Sequence, residues 1–216
     1  MFDWGNYVLC GIKGVLDLAG GHDQATPGFD LVVDGRVPQG AGLSSSSSLV
    51  CCSALAVAAC GKAVPGRLAL AELCARSERY VGTEGGGMDQ AAAFLSTAGA
   101  AKLIAFHPLR ASPVPLPPRT VVVVANSLVA AHKYVTAGSC FNKRVAECRL
   151  AARVIAHKTL SKDAAAQIRT LGQLQLALGV SVAAMAGIVD EHLRPGAYLQ
   201  EELCAALGDL PRGGLM

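Results

Sequence analysis

The chain has 216 residues, of which 52% are hydrophobic and 16% charged, a composition that supports a folded core and excludes a disordered chain. Nineteen basic against 16 acidic side chains leave a net charge of only +3, and 5% of residues are aromatic. Nucleic acid is therefore a poor partner, since it calls for basic surface and stacking platforms.

The longest apolar run, Leu49 to Ala59, is about half the ~20 residues that span a bilayer, and no charged, apolar, small-residue leader opens the chain. No membrane partner is expected. The cysteines Cys10, Cys51, Cys52, Cys60, Cys74, Cys140, Cys148 and Cys204 form no Cys-x-x-Cys pair. They read as reduced core residues of a cytoplasmic protein.

In chain order, Val8, Leu9, Ile12, Val15 and Leu16 repeat at helical spacing almost from the first residue. The helix opens without a capping lead-in, so an upstream segment is expected to be missing. Glycine and proline break the chain at 20–21 and 27–28, and Phe29 to Asp34 reads as a strand.

That strand enters Pro38-Gln39-Gly40-Ala41-Gly42-Leu43 and the serines Ser44 to Ser48. Glycines let backbone N–H groups approach an anion, and the N-terminus of the following helix favours negative charge. Serine hydroxyls add donors and an oxygen ligand for Mg²⁺. No Gly-Lys-Ser/Thr closes the loop as in a Walker A motif, and no Gly-x-Ser-x-Gly frames a nucleophile. A Ser-rich linker is the plain alternative. The helix is predicted from Ser44 or Ser45 to about Gly61.

A second helix is predicted over Leu68 to Tyr80, with Leu70, Leu73 and Cys74 on one face. Gly82 to Gln90 forms a second Gly-rich turn, and Lys102 to Phe106 a short strand. Pro108 to Pro118 reads as a crossover, and Val121 to Val124 as the clearest buried strand, leading into Ala125-Asn126-Ser127. From Phe141 the pattern is helical, with Val145, Cys148, Ala152 and Ile155 on one face. Two or three further helices are expected to about Leu207.

Asp89, in a Gly-flanked turn at a helix start, suits accepting a hydroxyl proton in phosphoryl transfer; an ordinary N-cap is the alternative. Glu78 could meet Mg²⁺ with a loop serine, or be a solvated helix-face acid paired with Arg76 or Arg79. Lys133 could contact phosphate or nucleotide, and Trp4 could flank a base; surface and core roles are the alternatives. His22, His107, His157 and His192 have no metal-like spacing.

Together the two loops resemble the GHMP small-molecule kinases. Pro38 to Ser46 is similar to their second motif, and Gly86-Gly87-Met88-Asp89-Gln90 to their galactokinase branch. Val33-Asp34-Gly35, Leu49 to Cys52, Ala75 to Gln90, Pro108 to Ala111, Ala125 to Ser127 and Glu147 to Ala152 extend the likeness over residues 4 to about 205.

The resemblance implies ATP-dependent phosphorylation of galactose or N-acetylgalactosamine at the anomeric hydroxyl, with Mg²⁺. Gly40, Ala41, Gly42, Leu43, Ser44, Ser45, Ser46, Ser47, Ser48 and Leu49 would wrap the phosphates. Ser46 and Glu78 would hold the metal, and Asp89 would act on the sugar hydroxyl. Gly86, Asp89 and Phe141 would contact sugar; Trp4, His132 and Lys133 would contact the nucleotide, with His132 standing where the family has asparagine.

The implied fold is α+β. An incomplete N-terminal domain of ribosomal-protein-S5-like type, residues 1–107, would precede an incomplete ferredoxin-like, helix-rich domain, residues 108–216. The family's sugar-fixing Arg and Glu-His-x-Asp motif and its third Gly-rich motif are not found in the chain, which reads as truncated at both ends. Little turnover, exposed apolar surface and a monomeric state are expected; a non-catalytic nucleotide-binding remnant is the alternative.

Overall fold

Helix α1, Gly5–Leu18, lies tightly against α2, Ser45–Cys60, because a glycine stands where they cross. A Cβ on Gly11 would overlap Ser53 Oγ and the Val50 carbonyl oxygen and stand 2.9 Å from Ala54 N; one on Gly14 would come 2.7 Å from Leu73 Cδ2. The computed structural model describes residues 3–20, 28, 30–61, 64–130 and 140–208. They fall into two units, Met1–Ala137 and Gly138–Met216.

In the first unit, α3 (Arg67–Ser77) runs into a 3-10 turn, Glu78–Val81, followed by α4 (Met88–Leu95) and the strands β1 (Ala101–Phe106) and β2 (Leu109–Val114). The strands pair antiparallel from Ala101↔Val114 to Phe106↔Leu109. The core joins Tyr7 and Cys10 of α1, Val50, Cys51 and Ala54 of α2, Leu70, Leu73 and Cys74 of α3, Ala91 and Phe94 of α4, and Leu109 of β2. Burial of a side chain such as Leu70, 1% exposed, contributes about 1.5–3 kcal/mol.

The second unit holds α5 (Asn142–Thr159), α6 (Lys162–Gln167), α7 (Leu171–Leu178), α8 (Val182–His192) and α9 (Gln200–Leu207). Ala152, Ile155 and Ala156 of α5 pack with Ala165, Ile168, Leu174 and Met185. A capping box starts α7: Gln173 N–H donates to Thr170 Oγ1 and Thr170 N–H to Gln173 Oε1, each at 3.2 Å. Ser181 caps α8, its Oγ accepting from Ala184 N–H at 3.1 Å. Among the described residues, four helices follow α5, against the two or three expected.

The chain is helix-rich α+β, and among the described residues its sheet has two strands. No single described helix is long and apolar enough to cross a membrane.

Several expectations are corrected. Val121 to Val124 is not a buried strand: these valines are 75–84% exposed and unpaired. Within Phe29 to Asp34, residues 30–34 likewise form no strand, and Val32 is exposed; Phe29 lies outside the described residues. An apolar run becomes a strand only where neighbouring backbone satisfies its N–H and C=O groups and other elements cover its faces. Here β1 and β2 pair only with each other among the described residues.

Pro108 to Pro118 is not a plain crossover, since Leu109–Val114 is the second strand of the hairpin, and Pro113 is tolerated there at a sheet edge. His107 and Pro108 form the turn of that hairpin and are joined by a cis bond. The cysteines are all free thiols, but Cys52, Cys60, Cys140 and Cys148 are exposed rather than buried. Cys148 therefore lies off the packed face of α5.

Candidate functional site

Glu78 begins the 3-10 turn that tightens the end of α3, and Tyr80 in that turn donates its hydroxyl to Asp17 Oδ2 of α1 at 3.0 Å. The turn carries the Glu78 side chain inward, where the residue is only 9% exposed. It is thus not a solvated helix-face acid. An ionised group so buried requires hydrogen-bond partners.

Two other helices supply them. Ser47, in the first turn of α2, donates from Oγ to Glu78 Oε2 at 2.8 Å. Gln90, in the first turn of α4, donates from Nε2 to the same Glu78 oxygen and to Ser47 Oγ, the latter at 3.3 Å. Both side chains are 3% exposed. A flipped amide would set Gln90 Oε1 against a carboxylate oxygen, two acceptors face to face, so the NH₂ end belongs on Glu78. Gln90 Oε1 is buried without a partner.

The Glu78 charge reaches α1. Burial first and the Glu78 carboxylate second push the Tyr7 phenol and the Cys10 thiol above their ordinary pKa values. Both effects have one cause: an additional negative charge is hard to place in a dry site beside an existing carboxylate.

Ahead of α2, the loop takes left-handed steps at Gly40, Gly42 and Ser44, with φ of 68°, 70° and 59°. Ala41, Gly42 and Leu43 are exposed, and Ser44, Ser45, Ser46, Ser48 and Leu49 are half-buried. The first intrahelical bond runs from Ser48 N–H to the Ser44 carbonyl at 2.9 Å, so the amides of Ser45, Ser46 and Ser47 face out of the helix end. Exposed N–H groups at a helix N-terminus are suited to an anion.

Asp89 is the second residue of α4 and half-exposed. It is not the N-cap, because Gly87 occupies that position with φ 89°, and a Cβ there would come 3.0 Å from Ala75 Cβ. The consecutive residues Asp89 and Gln90 therefore leave one helical turn in different directions, one toward solvent and one into the cluster.

Ser47, not Ser46, is the serine bonded to Glu78. The reason is register: Ser47, Val50, Cys51 and Ala54 lie at i, i+3, i+4 and i+7, the core face of α2, and Ser46 is turned about 100° from it. The same spacing rule marks Gln90, which shares the buried side of α4 with Ala91 and Phe94. Neither residue was singled out from the sequence for this contact, although both patterns are visible there.

Gly86 is exposed, and Trp4, at the N-cap of α1, is 50% exposed. Phe141 is half-buried at the N-cap of α5 in the second unit. His22, His132 and Lys133 lie outside the described residues.

Among the described residues, no group of three or more His, Cys, Asp or Glu side chains is arranged to hold a metal ion. One buried carboxylate beside a hydroxyl is instead an oxygen donor set of the kind Mg²⁺ uses when phosphate and water complete its coordination. The residues present fit that ion.

Residues 6–97 match the GHMP kinases N terminal domain. The chain is 41% identical over 209 residues to the galactokinase of Dictyostelium discoideum, covering 94% of this chain and 40% of that protein. It is 36% identical over 169 residues to the Saccharomyces cerevisiae galactokinase, covering 71% and 32%, and 37% identical over 169 residues to that of Schizosaccharomyces pombe, covering 72% and 33%. The chain thus spans 32–40% of the length of these relatives.

Proposed function

We propose that this chain, which belongs to the galactokinase branch of the GHMP kinases, carries the nucleotide and metal machinery of a sugar kinase. The reaction would move the γ-phosphoryl group of ATP to the anomeric hydroxyl of galactose or N-acetylgalactosamine. The observation that carries this reading is the convergence of Ser47, Gln90 and Glu78 beside the Gly-Ser loop, with Asp89 next to Gln90 on α4.

The loop from Gly40 to Leu49 would hold the phosphates with backbone amides and serine hydroxyls. Glu78 with Ser47, or with Ser46 as first expected, would hold Mg²⁺, which when bound offsets charge on the phosphate oxygens. Asp89 would accept the proton of the sugar hydroxyl as its oxygen attacks phosphorus and the bond to the ADP oxygen breaks. Gly86 and Phe141 would contact sugar, and Trp4, His132 and Lys133 the nucleotide. An S5-like first domain and a ferredoxin-like second domain belong to the same reading.

In a second reading, these 216 residues bind nucleotide and turn over little sugar. Phosphoryl transfer depends on positioning, and misplacement by about 1 Å can cost ~100-fold in rate. A coupled ATP-consumption assay with galactose and with N-acetylgalactosamine, run on the chain and on Asp89→Asn, separates the two. Turnover lost in the variant supports the kinase; nucleotide binding without turnover supports the second reading; neither binding nor turnover overturns both.

A further inference from the structure

We propose that Gln90 is a positioning residue that holds the Glu78 carboxylate and the Ser47 hydroxyl in the geometry of a metal site and locks the helix carrying Asp89 onto it; this rests on the metal role of Glu78 given above. Gln90 is the only described side chain that hydrogen-bonds both members of the pair, and it does so with one nitrogen. Ser47 is on α2, Glu78 on the 3-10 turn after α3, and Gln90 on α4. Three elements separated by 31 and 12 residues in sequence are therefore tied at a single carboxylate oxygen.

The chemistry of the amide suits this task. It brings two N–H donors, no charge and no titration, so it can order a carboxylate without competing for a cation as lysine or arginine would. Burial makes the tie effective: at 3% exposure the amide meets little competing water, and a donor withdrawn from a dry carboxylate is not replaced. Its Oε1 is buried without a partner, a cost that an apolar side chain of the same size would not incur.

The neighbour in sequence completes the argument. Because Asp89 and Gln90 share the first turn of α4, entered through the left-handed Gly87, whatever fixes Gln90 against Glu78 fixes the position of Asp89 relative to the same acid. Side chains that orient a metal ligand typically change metal affinity 10- to 100-fold when removed.

The test is Mn²⁺ binding with ATP present, read as the change in the Mn²⁺ EPR signal relative to a protein-free Mn²⁺–ATP control, by the full 216-residue chain and by its Gln90→Met and Glu78→Gln variants. Methionine keeps the volume and removes both donors. Roughly 10-fold or more weaker Mn²⁺ binding by Gln90→Met, with a cooperative melt retained, supports the proposal. Unchanged Mn²⁺ affinity in Gln90→Met together with loss in Glu78→Gln overturns it and leaves the metal role of Glu78 standing. No Mn²⁺ binding by the wild-type chain, or full binding by Glu78→Gln, overturns both. Should Gln90→Met fail to melt cooperatively, Gln90→Asn takes its place, since it keeps the amide but withdraws it by one methylene, and the same outcomes apply.

Discussion

Replacing Gly11 with alanine pits two well-understood effects against each other. In a helix interior alanine is favoured over glycine by about 1 kcal/mol, so propensity alone predicts a more stable protein. At this site, however, the new methyl would overlap Ser53 Oγ and the Val50 carbonyl and press on Ala54 N at 2.9 Å. The Ser53 hydroxyl, which donates to the Val50 carbonyl at 3.1 Å, could rotate away at the expense of that bond. The carbonyl and amide belong to the backbone of α2, so the helices themselves must separate.

Overpacking of this kind costs about 1–3 kcal/mol, and the loosened contacts along the α1–α2 seam add to it. We expect a net loss of about 1–2 kcal/mol, equivalent to roughly 4–8 °C in Tm for a unit of this size. Gly187 in α8 is the matched control, because a Cβ there meets nothing within 4 Å; Gly187→Ala should raise the melting temperature by a few degrees, since only propensity acts. Calorimetric melts of the three proteins decide the matter. A Gly11→Ala protein that melts at or above the wild type would refute the close crossing, and with it the account of how α2 is held where Ser47 meets Glu78.

Thiol labelling in the native state should modify Cys52, Cys60, Cys140 and Cys148 and spare Cys10, Cys51 and Cys74, as read by mass spectrometry after a short iodoacetamide pulse. The hydrogen bond to Cys74, followed by burial, pushes the Cys51 thiol far upward, and burial, then the Glu78 charge, raises Cys10. Raising the pH above neutral should therefore leave these two unmodified; rapid labelling of Cys51 would contradict its packing. Val122→Lys should reduce concentration-dependent light scattering, because Thr120 to Ala125 is an uncharged, proline-free segment whose valines are at least 75% exposed. Equal scattering by wild type and variant would show that this segment does not drive association.

Helix positions were legible in the sequence wherever local pattern and packing agree. The spacing of Val8, Ile12 and Val15 marks α1, and the loop serines and Gly61 bracket α2 closely. The valine run was misread because a strand is not a local property: its stability depends on partners that sequence cannot supply and that no described residue provides. Glu78 was legible as a candidate acid, but its burial was not, since the 3-10 turn that rotates it inward follows from the tertiary fit of α3 against α1. The exchange of Ser46 for Ser47 is a difference of one residue, 100° on a helix; among five consecutive serines composition cannot choose, and only the core face of Val50 and Ala54 does.

The account turns on Glu78 and Ser47 acting together on a nucleotide-bound metal ion, and calorimetric titration of the chain with ATP tests this most directly when run with and without Mg²⁺. It predicts tighter binding with Mg²⁺ in the wild type and no gain from Mg²⁺ in Glu78→Gln. Identical affinity with and without the metal in the wild type, or an undiminished Mg²⁺ effect in the variant, would contradict it.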